Sequence, residues 1–191
     1  KVEYGARVSD EFLYASDEEK INILKAFNDG YARKLARGLD LMVFHGINPR
    51  SGVASTIIGT NHFDAKVTQT VDFNAADPDT NIEAAVALVQ GSEGVVTGAA
   101  LDPTFSAALS QMKINGVKQF PELAWGANPG SINGLKADIN NTVSAAGTNN
   151  DVAIIGDFTS MFQWGYTKQI PLEIIKYGDP DNSGNDLKGY N

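Results

Sequence analysis

The 191 residues carry 15 Lys and Arg against 23 Asp and Glu, a formal net charge of -8, with 42% hydrophobic and 20% charged residues. This is globular material, long enough to bury a core as one domain or two small ones, and its acid excess argues against a nucleic-acid-binding face, which needs clustered Lys and Arg. The absence of cysteine removes disulfides, thiolate zinc sites and cysteine nucleophiles together.

The clearest element comes early. In SDEEKINILKAFNDGYARKLARGLDLMVFHG, Ser16 and Glu19 have the spacing of a capping box, in which each side chain satisfies an orphan backbone N–H at a helix start. Ile21, Leu24, Tyr31, Leu35 and Leu39 then recur at intervals of three, four and seven, and Ile23 and Phe27 widen the stripe. The pattern predicts an amphipathic helix from Asp17 to about Phe44, ended at Gly46, with Pro49 preventing resumption. Such a helix would run for ~42 Å at ~1.5 Å per residue, longer than a small domain is wide, so something should lie along it. Arg33, Lys34 and Arg37 form the densest basic group, with Arg33 and Arg37 on one helical face, and read as a solvated surface rather than a phosphate contact.

After the turn-rich NPRSGVASTIIGTNH, the alternation in AKVTQTVDF predicts a strand or hairpin arm. DPDTNIEAAVALVQ predicts a helix capped by Asp79 or Thr80, with Ile82, Val86 and Val89 on one face. Val95 to Leu101 reads as a buried strand, followed by a turn at Asp102 and Pro103 and a helix beginning near Thr104. From Ile114 to Thr148 the chain is rich in Gly, Asn and Pro, with an apolar patch at FPELAW and a short strand around GLKADI. VAIIGDF is a second buried strand, TKQIPLEIIKY a last alternating one, and GDPDNSGNDLKG a polar loop or frayed end. No apolar run reaches the ~20 residues of a membrane-spanning helix, so no membrane partner is expected. The chain begins at Lys1 rather than Met and closes on NDLKGYN, as expected of a piece of a longer protein.

Candidate chemistry is sparse. His45 and His62 are the two histidines. His62 with Asp64, and with Asp77 and Asp79 nearby in sequence, supplies possible metal ligands, but the spacing matches no defined metal motif. Asp102, Glu122 and Asp157 fall at predicted strand ends or turns, where two carboxylates could work as an acid and base pair in a small α+β hydrolase. For Asp157, following Gly156, the alternative is a turn in which the carboxylate caps and the glycine supplies unusual backbone angles. GxSxG, a P-loop and the dinucleotide fingerprint are all absent. No catalytic residue, cofactor or metal is therefore assigned.

The order of features resembles the major capsid proteins of tailed double-stranded DNA bacteriophages, the Hong Kong 97-like capsid fold that encapsulin shells share. ASDEEKINILKAFNDGYARKLARGLDLMVFHGINPRSG looks like the long spine helix of that family and its Gly-containing turn. NIEAAVALVQ is similar to the helix opening the axial domain, and GVVTGAALDPTFSAALSQMKINGVKQF to the strand, Pro turn, helix and Gly turn that follow. INGLKADI resembles the next short strand, and AIIGDFTSMFQWGYTKQIPLEI the Gly-Asp-Phe stretch. The resemblance implies an α+β fold with a spine helix and an axial-domain mixed sheet flanked by helices. Residues 1–58 would be a peripheral-domain-like segment and 59–191 an axial-domain-like segment. The family's N-terminal arm and extended loop would precede Lys1, and its closing strand would follow Asn191.

The same resemblance implies a non-catalytic subunit of an icosahedral shell around DNA, partnered by copies of itself in pentamers and hexamers. A scaffolding domain, a maturation protease and a portal would be further partners, with no specific nucleic-acid sequence. The place of action would be the virion capsid, assembled in the bacterial cytoplasm, and an encapsulin-like compartment shell is the alternative within the fold. On this reading Phe158 and Phe162 pack inward, while Trp164 either completes its own domain or meets a neighbouring subunit.

Overall fold

The computed structural model describes residues 14–145, 151–160, 163 and 165. The chain divides into two compact units, one drawn from Lys1–Ala36 and Trp164–Asn191 and the other Arg37–Gln163. The described part of the first unit is the beginning of a long helix, α1, which spans Asp17–His45. Its start is the expected capping box: Glu19 N donates to Ser16 Oγ at 3.3 Å, and Ser16 N donates back to Glu19 Oε2 at 3.1 Å. Asp17, Glu18 and Glu19 place negative charge at the positive end of the helix dipole. Leu24, Phe27, Tyr31 and Leu35 are half-buried along one stripe, whereas Ile21 and Ile23, on its margin, stand exposed.

Gly46 ends α1 with φ +64°, a conformation that L side chains adopt at a cost. A Cβ there would also come within 2.5 Å of the His62 ring, so this position combines a left-handed backbone with a close approach. The chain then folds back through a bridge between Ile47 and Ala54. Pro49 lies against the helix at Gly38, where an added Cβ would be 3.4 Å from the proline ring.

The second unit is built on a four-stranded mixed sheet of order β4-β5-β1-β6. Its strands are β1 (Gly98–Leu101), β4 (Ser131–Ile132), β5 (Leu135–Ile139) and β6 (Ala153–Gly156). β1 is central, parallel to β5 with Ala99 opposite Ala137, and antiparallel to β6 with Ala99 opposite Ile155. A separate hairpin joins β2 (Lys113–Ile114) to β3 (Val117–Lys118). The helices are α2 (Phe63–Lys66), α3 (Pro78–Gly91) and α4 (Pro103–Gln111), with a 3-10 segment at Pro121–Gly126.

The core gathers Ala99, Leu101, Phe105, Leu109, Phe120 and Leu123 with Ile132 and Ala137. β1 supplies its centre because both sheet faces are covered there, so an apolar run serves better than alternation. Phe73 stacks on Phe105 at a centroid separation of 5.1 Å, and Ile82 of α3 packs on the same cluster. Phe158 is half-buried with its ring against Gly98, as expected; Phe162, Trp164 and TKQIPLEIIKY lie outside the described residues.

Three expectations need correction. AKVTQTVDF forms no strand: Ala65 and Lys66 finish α2, and the remainder is unpaired chain that carries Phe73 to the core. Its alternation is real, but no strand edge is offered to it. The cap of α3 is Asp77, not Asp79 or Thr80, because Pro78 occupies the first helical position, where its fixed φ suits the helix and its missing N–H costs nothing. The strand expected from Val95 begins only at Gly98, where pairing with Gly156 starts.

Both hairpins turn on Asn-Gly. Asn115 and Gly116 have φ of 51° and 81°, and Asn133 and Gly134 have φ of 47° and 86°. These are two-residue turns with both central residues left-handed, which matches the twist of the flanking strands. The Ile-Asn-Gly signal occurs twice, so the expected Gly turn after α4 and the expected single strand at INGLKADI are both two-stranded hairpins.

Candidate functional site: a buried polar cluster at the end of the long helix

Two of the three carboxylates considered for acid and base chemistry, Asp102 and Asp157, have a local structural task. Asp102 is 6% exposed and caps α4, accepting a 2.7 Å hydrogen bond from Thr104 N. Asp157 accepts from Thr97 Oγ1 at 3.1 Å and from the Thr159 and Ser160 amides at 3.0 Å each. The Ser160 amide, with that of Thr159 and the Thr97 hydroxyl, holds the Asp157 carboxyl below its ordinary range against the opposing effect of desolvation. Gly156–Asp157 is thus a capped turn at the end of β6, which answers the choice left open by the sequence. Glu122 lies in the first turn of the 3-10 segment, half-buried.

The polar side chains that do come together were not paired by sequence reasoning. His45, in the last turn of α1, places Nδ1 2.6 Å from Asp64 Oδ2 on α2, with both side chains 3% exposed. Its other nitrogen, Nε2, lies 2.7 Å from the carbonyl of Thr142, which can only accept, so Nε2 carries a hydrogen. One turn earlier on α1, Asp40 Oδ2 accepts from Thr142 Oγ1 at 2.9 Å and from Asn140 Nδ2 at 3.5 Å. Asn140 Oδ1 in turn accepts from Thr142 N, and Asn140 N donates to Leu101 O at the end of β1. The end of the helix is thereby fastened to the loop after β5 and, through it, to the central strand.

Asp151, just before β6, completes the group. Burial pushes its carboxyl above the ordinary value, reinforced by the charge of Asp64 and a hydrogen bond shared with it, against a smaller opposing pull from His45. Asp40 is likewise raised, first by burial and then by Asp138, opposed by Thr142 and His45. Asp64 therefore belongs with His45, 19 residues before it, and not with His62. His62 turns instead toward the Phe44 carbonyl at 3.4 Å and lines an open surface groove with Val43, Asn61, Phe63 and Lys66.

Among the described residues, no group of three or more His, Asp or Glu is arranged to hold a metal ion, and Asp77 and Asp79 lie at the start of α3. The His45–Asp64 pair resembles the base and orienting acid of a catalytic triad. Its Nε2, however, is bound to a backbone carbonyl where a nucleophile would have to stand. The arrangement is suited to fastening elements together. Asp40, Thr142 and Asp151 escaped sequence reasoning because His45 and Thr142 are 97 residues apart, a separation no motif spans.

No described helix is long and apolar enough to cross a membrane. No protein-family model and no curated protein sequence matches the chain. Solved structures do. A protein of Mycobacterium phage Ogopogo superposes with a TM-score of 0.76 at 34% identity, over 96% of this chain and 64% of that one. A protein of Gordonia phage Cozz gives a TM-score of 0.68 at 26% identity, over 96% of this chain and 59% of that one. The chain spans less than two thirds of the length of either relative. It is mixed α+β, and in both fold and sequence it is similar to phage proteins.

Proposed function

We propose that the chain is the central part of the major capsid subunit of a tailed phage or prophage, a structural protein that assembles with copies of itself into an icosahedral shell around DNA. The observation that carries this reading is the likeness of 96% of the chain to two phage proteins, and the order of sequence features that resembles the capsid family agrees with it. A 29-residue helix fastened by its end to a small mixed sheet supports it as well. At ~1.5 Å per residue the helix runs ~43 Å, a brace suited to a thin wall subunit.

The protein acts through its surfaces and has no catalytic role. Asp102 and Asp157 are occupied as caps, and the buried histidine is held by a carbonyl. Pentamers and hexamers use heterologous contacts, one patch meeting a different patch on the neighbour, and this needs exposed rim residues. Trp125, 101% exposed on a left-handed backbone of φ 63°, has the character of such a residue. A scaffolding domain, a maturation protease and a portal are the further partners of this reading, and the virion capsid is the place of action.

Quantitative mass spectrometry of purified DNA-filled heads tests the proposal. Peptides of this chain should outnumber those of every other virion protein. Their absence from heads, or a copy number equal to that of a minor component, would overturn the assignment.

A further inference from the structure

Lys113 and Lys118 are the only charged side chains between Asp102 and Glu122, and the fold sets them directly opposite each other in the β2–β3 hairpin. Cross-strand partners share one face of a ribbon with Cβ atoms about 5 Å apart, so two like charges there oppose the pairing instead of supporting it. The other face carries the second pair, Ile114 and Val117, which are 59% and 65% exposed. All four strand residues therefore stand in solvent. The base of the hairpin is fixed, since the Gln119 amide donates to Met112 O at 3.1 Å and Phe120 is buried in the core. A two-stranded ribbon is marginal by itself, and this one places at its tip a repulsive pair and an uncovered apolar pair. Among the described residues neither lysine has an ion-pair partner.

A surface of the opposite sign lies around α3, in the same Arg37–Gln163 unit. Residues 67–112 include six acids and no Lys, Arg or His. Asp77 and Asp79 suit the positive end of the α3 dipole, but Asp72 and Glu83 lie outside its first turn. Both are exposed, and neither has an ion-pair partner among the described residues. Asn81 holds the Asp72 backbone beside the helix by donating to its carbonyl at 3.2 Å.

We propose that the β2–β3 hairpin is a docking element for a second copy of this chain, with Lys113 and Lys118 meeting the acidic surface of Asp72 and Glu83 on the neighbour. Tip and face are different patches, so the contact is heterologous: each copy offers one of each, and the contact can repeat round a ring. Ile114 and Val117 add apolar burial, and the charges select the register. The proposal rests on the shell reading above, which requires rings of copies and leaves open which elements join them. Duplex DNA, the other anionic candidate, calls for many more Lys and Arg than one pair in a chain of net charge -8.

The test uses the complete gene product. A carbodiimide couples a lysine amine to a carboxyl as an amide and takes up the water that is lost, and a mixture of isotope-labelled and unlabelled copies identifies links between chains. Assembled particles should give interchain links from Lys113 or Lys118 to Asp72 or Glu83; particles without them would overturn the proposal. Lys113→Glu with Lys118→Glu keeps the like-charge pair within the hairpin, yet should lower particle yield by about tenfold or more at ~0.1 M salt. Asp72→Lys with Glu83→Lys should do the same, and all four substitutions together should restore the yield. Native yield from the Lys→Glu chain would overturn the proposal and leave the shell reading intact, whereas a native product that forms no particles would overturn both. Retention on duplex DNA that the Lys→Glu pair abolishes, without interchain links, would assign the hairpin to DNA and overturn the docking.

Discussion

The His45 imidazole reaches across 19 residues to the Asp64 carboxylate at 2.6 Å, and both side chains are 3% exposed. A buried pair of this kind is weak evidence for net stabilisation, because desolvating two charges offsets their attraction, but removing one partner leaves the other uncompensated. Asp64→Ala and His45→Ala should therefore each destabilise the fold by about 3–5 kcal/mol, read as a lower midpoint in urea unfolding. The double variant should cost much less than the sum, since the uncompensated group is then gone. Additive losses would mean that the two side chains act separately.

Asp102 separates capping from catalysis. Asp102→Ala should cost about 1–2 kcal/mol in thermal or denaturant unfolding through loss of the Thr104 amide's partner, while Asp102→Asn, which keeps an acceptor, should lie within ~0.5 kcal/mol of the native chain. A strong effect of the Asn substitution would point to a role for the charge itself.

The Asn133–Gly134 turn makes a conformational claim. Gly134→Ala puts a Cβ on a backbone at φ 86°, with no neighbour within 4 Å to clash, so the whole cost is torsional, about 1–2 kcal/mol. Circular dichroism melts should show the same penalty for Gly116→Ala in the β2–β3 hairpin, where φ is 81° and the surroundings are equally open.

At the end of β6, Asp157→Ala should speed exchange of the Thr159 and Ser160 amides without altering that of β1. Because the Asp157 carboxyl is held below its ordinary value, this protection is present above the unfolded value of 3.8 and is lost as pH falls through the depressed folded value.

What the sequence disclosed and what it hid follow from the range of the interactions. The capping box, α1 and its stop at Gly46, the Asp102–Pro103 turn into α4 and the strands around GLKADI and VAIIGDF are governed by residues a few positions apart. They were legible for that reason. AKVTQTVDF failed because alternation reports a preference for extended chain but not whether a strand edge awaits it. The polar cluster was invisible for the same reason: His45, Asp64, Thr142 and Asp151 are brought together by the fold and share no spacing. The parallel pairing of β1 with β5 is likewise a fact of topology, since the connection between them could equally have returned antiparallel.

The central claim is tested most directly by expressing the complete gene product with its genomic neighbours and viewing it by negative-stain microscopy. Closed icosahedral particles, or rings of five and six subunits, are the expected result. A product that stays monomeric at high concentration would contradict the account.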